Sequence, residues 1–436
     1  MDLAGLGALA LVALEWLALG WLSGAAWPGQ PTLANWALRL LLGAVLVSLA
    51  QVGLALVGVG FAGLGVVVVL AVAAAGAGAL RLAGTAACSE GDKQVPIAPG
   101  ERVGWLLLGG VLAAASLRSL LVPEAGWDAY SHWGLRAQAY ALAGGVVDAH
   151  SEHEYYPPLV PLLEAWLYVH RGLVSIDLAK TVWALVGSAF GVCLAWQLRL
   201  SLRPVWLAPY FASGILVGTP ALLESFWTGQ ADLALTAWLS LAALAAFQWR
   251  RAPQRAWLVQ AAVFGAAAAL TKFEGAPRIG VVVVALIVDA ALARRRAGLL
   301  PALVLALAAG GGWLIWTLVE LGHSIAPNAE HLGAFQPLAL GGVLLALLAV
   351  FGGLRTGGGL LVAVLAWLVS GGALLRGWLR PLTLVVLGQA AATLVAFLLS
   401  TTAPELEVRT SATRLVEQWL PLALFVAALG LSKRRV

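Results

Sequence analysis

Charge is scarce in this chain of 436 residues. Only 11% are Asp, Glu, Lys or Arg while 61% are hydrophobic, where a soluble domain carries roughly 25% charge. No soluble fold hides that much apolar surface and still covers itself with polar groups. Lysine is rarer still, with four residues, so the net charge of +5 rests on arginine. Most arginines sit in short clusters between apolar runs, which is a membrane-topology signal and not a nucleic-acid footprint. Cysteine is limited to Cys88 and Cys193, far apart and without metal-type spacing. Both read as structural thiols, and a disulfide framework is excluded. No basic stretch precedes the first apolar run, so that run reads as a retained helix and not a cleaved signal. Walker-type, Ser-His-Asp and heavy-metal motifs are also missing, which argues against a pump driven by cytosolic nucleotide. What remains is an all-α polytopic membrane protein.

Crossing the hydrocarbon takes about 20 apolar residues. Suitable runs occur at 3–22, 36–58, 61–82, 103–121, 177–197, 205–221, 233–248, 256–271, 278–293, 298–319, 337–354, 357–373, 381–399 and 416–431. Arg81, Lys93 and Arg102 mark one cytoplasmic loop. Arg199 and Arg203, then Arg250, Arg251 and Arg255, then Arg294, Arg295 and Arg296 mark others. These alternate correctly under the positive-inside rule. The basic tail Lys433-Arg434-Arg435 belongs inside as well, which requires one run not to cross. The Gly-rich run 357–373, flanked by Arg355, Arg376 and Arg380, is the expected exception, leaving about thirteen spans. The outer face then receives the long loop 122–176, short turns near 222–232 and 272–278, and loops 320–336 and 400–415. All six histidines and most carboxylates fall there, so polar chemistry belongs to one side of the membrane.

Four outer segments carry residues suited to chemistry. Trp127-Asp128-Ala129 sets an acid beside a span and among aromatics, where partial desolvation suits general-base work; a helix cap or a solvated interfacial acid fits the same residue. Asp232, in Gly229-Gln230-Ala231-Asp232, stands at the mouth of a span, where an ionisable residue is a functional candidate, or again a cap. Lys272, in Leu270-Thr271-Lys272-Phe273-Glu274, is a lysine on the acidic side, against the orientation trend. It can neutralise a phosphate, pair with Glu274 or reach lipid headgroups. Arg409 and Arg414, in the loop 405–414, suit bidentate phosphate recognition. The stretch His150, Glu152, His153 and Glu154 matches no strict ligand template, so no cofactor is read from the sequence and a divalent metal lacks a clear motif. Gly310-Gly311-Gly312 lies within an apolar run and reads as a helix-packing surface.

The layout resembles the GT-C class of membrane glycosyltransferases, whose members include protein O-mannosyltransferases and lipid A aminoarabinose transferases. The likeness rests on an early acid (Asp128) after a span, then Pro157-Pro158-Leu159, a second acid (Asp232) at the outer mouth of a helix, the Leu-Thr-Lys turn at Lys272 and a further outer loop. It covers residues 103–336, taken as the catalytic module. Residues 1–102 form three preceding spans with a cytoplasmic loop, and 337–436 the C-terminal helices. The resemblance implies inverting transfer of a sugar from a polyprenyl-phosphate donor to a lipid, glycan or protein acceptor, at the extracytoplasmic face of a bacterial inner membrane. It implies Asp128 and Asp232 as catalytic residues and Lys272, Arg409 and Arg414 as ligands of the donor phosphate. Trp127, Arg136, His150, His153, Tyr155, Tyr156 and Trp227 are the implied substrate contacts. Two other readings stay open: a transporter or flippase of a lipid-linked or anionic substrate, which wants charges near the bilayer midplane, and a non-catalytic scaffold with a transferase-like fold.

Overall fold

The computed structural model describes residues 2–22, 32–61, 65, 97–123, 126–147, 156–294, 299–319, 336, 339–351, 354–370, 374–375, 377–399 and 403–432. Among these residues there is helix and no strand. The long elements are α1 (Leu3–Leu22), α2 (Thr32–Leu56) and α3 (Pro99–Leu121), then a π-helical turn at Ala129–Gly134 continuing into α4 (Leu135–Ala143). They continue with α5 (Leu159–Arg171), α6 (Thr181–Ser201), α7 (Ala208–Val217), α8 (Pro220–Thr228), α9 (Ala231–Arg251) and α10 (Arg255–Ala269). The series ends with α11 (Gly275–Ala293), α12 (Leu299–Val319), α13 (Leu340–Phe351), α14 (Leu354–Ser370), α15 (Arg380–Leu398), α16 (Pro404–Glu417) and α17 (Leu420–Ser432).

By length and composition α1, α2, α3, α6, α9, α11 and α15 can each cross a membrane. The count rises to nine if the bent pairs α7 with α8 (75°) and the end of α16 with α17 (47°) are each one span. The protein is therefore a multi-pass membrane protein. The other expected runs fall in the shorter apolar helices α10, α12, α13 and α14, or, for nearly all of 61–82, outside the described residues.

Helix α9 is the axis of the bundle, with its whole apolar stretch buried. Trp238 on α9 stacks on Phe264 of α10 at 5.7 Å, and Gly187 of α6 lets the Phe226 ring of α8 approach where a methyl group would stand 2.3 Å from it. In lipid such close packing, and not a hydrophobic drive, holds helices together. At one end of the bundle Asp289 of α11 binds Arg250 of α9 (2.8 Å) and Arg380 at the head of α15 (2.6 Å). This end carries the basic turns. The polar site lies at the opposite end.

Neither the run 337–354 nor the run 357–373 forms a helix long enough to be counted among the spans, and the two pack differently. Helix α14 lies lengthwise along α17: Gly359 meets the Gly218 carbonyl and Leu420 near one end, and Ser370 meets Gly430 near the other. Gly359 is what permits this close approach, since a Cβ there would stand 1.9 Å from the Gly218 oxygen. Helix α13, only 12 residues long, instead packs Val343 and Ala346 against Phe397 and Leu398 at the end of α15 and Val408 and Ala412 of α16.

Candidate functional site

Four chain segments deliver the polar residues of the site. The π-helical turn after α3 presents Asp128 at its start and His132 and Trp133 within it; such wide turns recur at functional sites. Gly229, in the left-handed conformation (φ 69°), ends α8 and lets α9 begin at once, so Asp232 lies in its first turn. Neither acid caps its helix with a side-chain hydrogen bond, so the capping alternative is not realised at either position. The third segment is the turn between α10 and α11. Its Thr271 hydroxyl donates to the Ala267 carbonyl (2.6 Å), and Gly275 donates to the Lys272 carbonyl (2.9 Å). A Cβ at Gly275 would stand 1.8 Å from the Ala268 oxygen, so only glycine closes the turn that faces Lys272 inward. Helix α16 is the fourth segment.

These segments enclose a cavity of about 220 Å³ lined by Asp128, His132, Trp133, Tyr156, Lys272, Glu274, Glu407, Ser411, Arg414, Leu415 and Gln418. Asp232 lies behind Lys272 and Gln418. Its Oδ1 accepts from Lys272 Nζ (3.2 Å) and from Gln418 Nε2 (2.6 Å). Lys272 also stands 3.8 Å from Glu274. Burial favours a neutral Lys272, but the carboxylates of Asp232 and Glu274 outweigh it and raise its pKa above the ordinary lysine value, so the ammonium stays charged. Nearer the opening, Arg414 Nη1 donates to Asp128 Oδ2. The result is two carboxylate–cation pairs side by side: Asp232–Lys272 deep, Asp128–Arg414 more open.

Four of the sequence-derived candidates (Asp128, Asp232, Lys272 and Arg414) thus meet, and Tyr156 joins them in the wall with its ring 5.1 Å from Trp133. Others lie elsewhere. Arg409 is exposed and outside the cavity lining, because five residues along a helix turn it about 140° from Arg414. Arg136 is buried beneath the site, donating to the Tyr156 carbonyl (2.7 Å) and the Tyr140 hydroxyl (2.8 Å); it holds the loop end and does not face the cavity. Trp127 is exposed and Trp227 stacks under the Arg118 guanidinium at 4.2 Å, neither of them lining the cavity. His150, His153 and Tyr155 lie outside the described residues.

Sequence reading passed over several participants. Glu407, Ser411 and Gln418 were not singled out, although with Arg414 they are spaced i, i+4, i+7, i+11, which is one face of α16, a periodicity that was available in the sequence. Arg278, in the first turn of α11, ties the site's floor: it donates to Gln389 Oε1 of α15 (3.0 Å) and to the Leu415 carbonyl of α16 (3.1 Å). Glu417 accepts the Leu222 amide (2.7 Å) in the first turn of α8, supplying from a distant segment the cap that Thr219 does not make. The cavity thus draws on α16, beyond residue 336, as well as on segments within 103–336.

Buried acids elsewhere are ties between helices. Glu101 binds Arg199 (2.5 Å), Glu164 accepts from Trp183 Nε1 (2.8 Å), and Glu15 of α1 accepts from Trp166 Nε1 (2.8 Å) and pairs with His170 of α5 (2.9 Å). Among the described residues no three His, Cys, Asp or Glu side chains converge as a metal ion would require. No known protein family, curated protein or solved structure matches the chain.

Proposed function

We propose that this protein is an inverting membrane glycosyltransferase of the GT-C kind, moving a sugar from a polyprenyl-phosphate donor to an acceptor at the extracytoplasmic face. One observation carries the reading: Asp128, Asp232, Lys272 and Arg414, spread over nearly 290 residues of an otherwise charge-poor chain, meet at a single cavity at one end of the bundle. In this reading α13 stays at the outer surface and the chain crosses thirteen times, with the basic turns and tail inside the cell.

The acceptor hydroxyl or amine attacks the anomeric carbon from the face opposite the phosphate. Its proton passes to the Asp128 carboxylate while the bond from the anomeric carbon to the phosphate oxygen breaks, leaving polyprenyl phosphate. Arg414 and Lys272 stabilise the charge that grows on the leaving phosphate. Asp232, itself held by Gln418, keeps Lys272 in place and acts on the reaction through it. Tyr156 and Trp133 offer ring faces to the sugar. A transporter would carry its ionisable groups toward the midplane, whereas the two pairs here, one deep and one more open, sit together at one end.

The test is sugar release from polyprenyl-phosphate sugars by purified protein. Turnover that depends on Asp128 supports the reading. Donor uptake into proteoliposomes without release of sugar supports a transporter instead.

A further inference from the structure

The base of the proposed reaction is not free in this structure, because Asp128 holds Arg414. Resting on the transferase reading, we propose that Asp128 is the resident anion of a phosphate site: the donor phosphate displaces it from Arg414, and the carboxylate so released becomes the base for the acceptor.

The two cations of the cavity differ in what they can exchange. The Lys272 side chain is 8% exposed and lies between Asp232 and Glu274 at 3.2 and 3.8 Å. A third anion reaching it must open a buried network. The Arg414 and Asp128 side chains are 35% and 34% exposed, and both line the cavity. Their pair joins α16 to the segment after α3, and Asp128 makes no capping bond to its own helix, so it can turn away without breaking local structure. A phosphate offers the guanidinium fork more oxygens and more charge than one carboxylate. Lys272, Gln418 and Ser411 line the same cavity, so an anion on Arg414 stands beside a second cation and further polar side chains.

The exchange makes binding ordered. While Arg414 holds Asp128, the Oδ2 that would take the acceptor's proton is engaged by the guanidinium. Donor binding removes that cation from Asp128 and fills the position with the group about to leave. Donor therefore precedes acceptor, and Asp128 opposes donor binding even as it serves the chemistry. A plain catalytic base does not behave this way: its removal leaves donor affinity unchanged.

Farnesyl phosphate binding to the purified full-length protein, read by tryptophan fluorescence, tests the exchange in a double-mutant cycle. Asp128→Asn and Asp128→Ala are expected to bind roughly twofold to fivefold more tightly than wild type, the range for loss of a competing, partly exposed ion pair. Arg414→Gln is expected to bind more weakly, and adding Asp128→Asn to it to give no gain. Inorganic phosphate forms a second arm: the same ranking there, or binding of the prenylated form alone with that ranking, upholds the exchange and tells whether the chain is needed. Wild-type binding with no gain in either Asp128 variant overturns the exchange but leaves the transferase reading standing. No binding of farnesyl phosphate by any form overturns both.

Discussion

Replacing Lys272 by methionine keeps most of the side-chain volume and removes one buried charge. Asp232 is then left at the head of α9 with Gln418 as its remaining close partner. At the observed 3.2 Å separation, two unit charges attract by about 5 kcal/mol at an effective dielectric constant near 20. Desolvation offsets much of this when the pair is made, but breaking a buried pair strands the other charge, which costs about 3–5 kcal/mol. Lys272→Met should therefore destabilise the purified protein by about that much in denaturant titration. Asp232→Asn leaves an ammonium that still has Glu274 at 3.8 Å, and its cost should be smaller. The double variant Asp232→Asn with Lys272→Met removes both charges and should recover at least about 2 kcal/mol relative to the sum of the singles. A loss below about 1 kcal/mol for Lys272→Met, or strict additivity in the double variant, would refute the claim that the two groups form a buried pair.

Further outcomes follow from the same geometry. Both ring nitrogens of His170 face oxygen acceptors, the Trp166 carbonyl and the Glu15 carboxylate, each at 2.9 Å, as an imidazolium requires. Burial pulls its pKa down, but the Glu15 and Trp166 hydrogen bonds and the Glu15 charge together raise it above 6.5. The pair's contribution to stability is thus fully present below about pH 6.5 and lost as pH rises through the raised value; melting curves should decline over that interval in wild type and lie flatter in His170→Gln. Gly275→Ala must push the Lys272 turn off the Ala268 carbonyl, so it should lower activity by more than tenfold, the usual effect of a small displacement at a reacting site. Restoration by a second alanine-to-glycine change at Ala268 is not expected, because the clash is with its backbone oxygen; full activity in Gly275→Ala would contradict the turn's role.

Much of the site was legible because the chain has so little charge. With apolar runs on every side, an acid or lysine at the outer mouth of a run has to be accommodated by a partner. Asp128, Asp232, Lys272 and Arg414 declared themselves that way. Their pairing did not, because it depends on α16, more than 130 residues beyond Lys272, folding back over the cavity. Reading 405–414 as a loop hid the helical stripe of Glu407, Ser411, Arg414 and Gln418 and set Arg409 on a par with Arg414, from which helix geometry separates it. Gln418 is neutral, so a search for charges passed over it, although it makes one of the shortest contacts to Asp232. In the bundle, the glycines of 357–373 looked like weakness in a span, and Gly359 among them allows the close approach of α14 to the Gly218 carbonyl and Leu420. The short α13 is as apolar as any span, but at 12 residues it is too short to be counted as one.

Sugar release from a panel of polyprenyl-phosphate sugars, by the purified full-length protein and its Asp128→Asn variant, tests the central claim most directly. The account predicts release from at least one donor with a suitable acceptor present, and a loss of about a hundredfold or more in Asp128→Asn while its melting curve and donor binding persist. Release undiminished in Asp128→Asn would contradict the assignment of the base, and neither binding nor release across the panel would contradict the transferase reading as a whole.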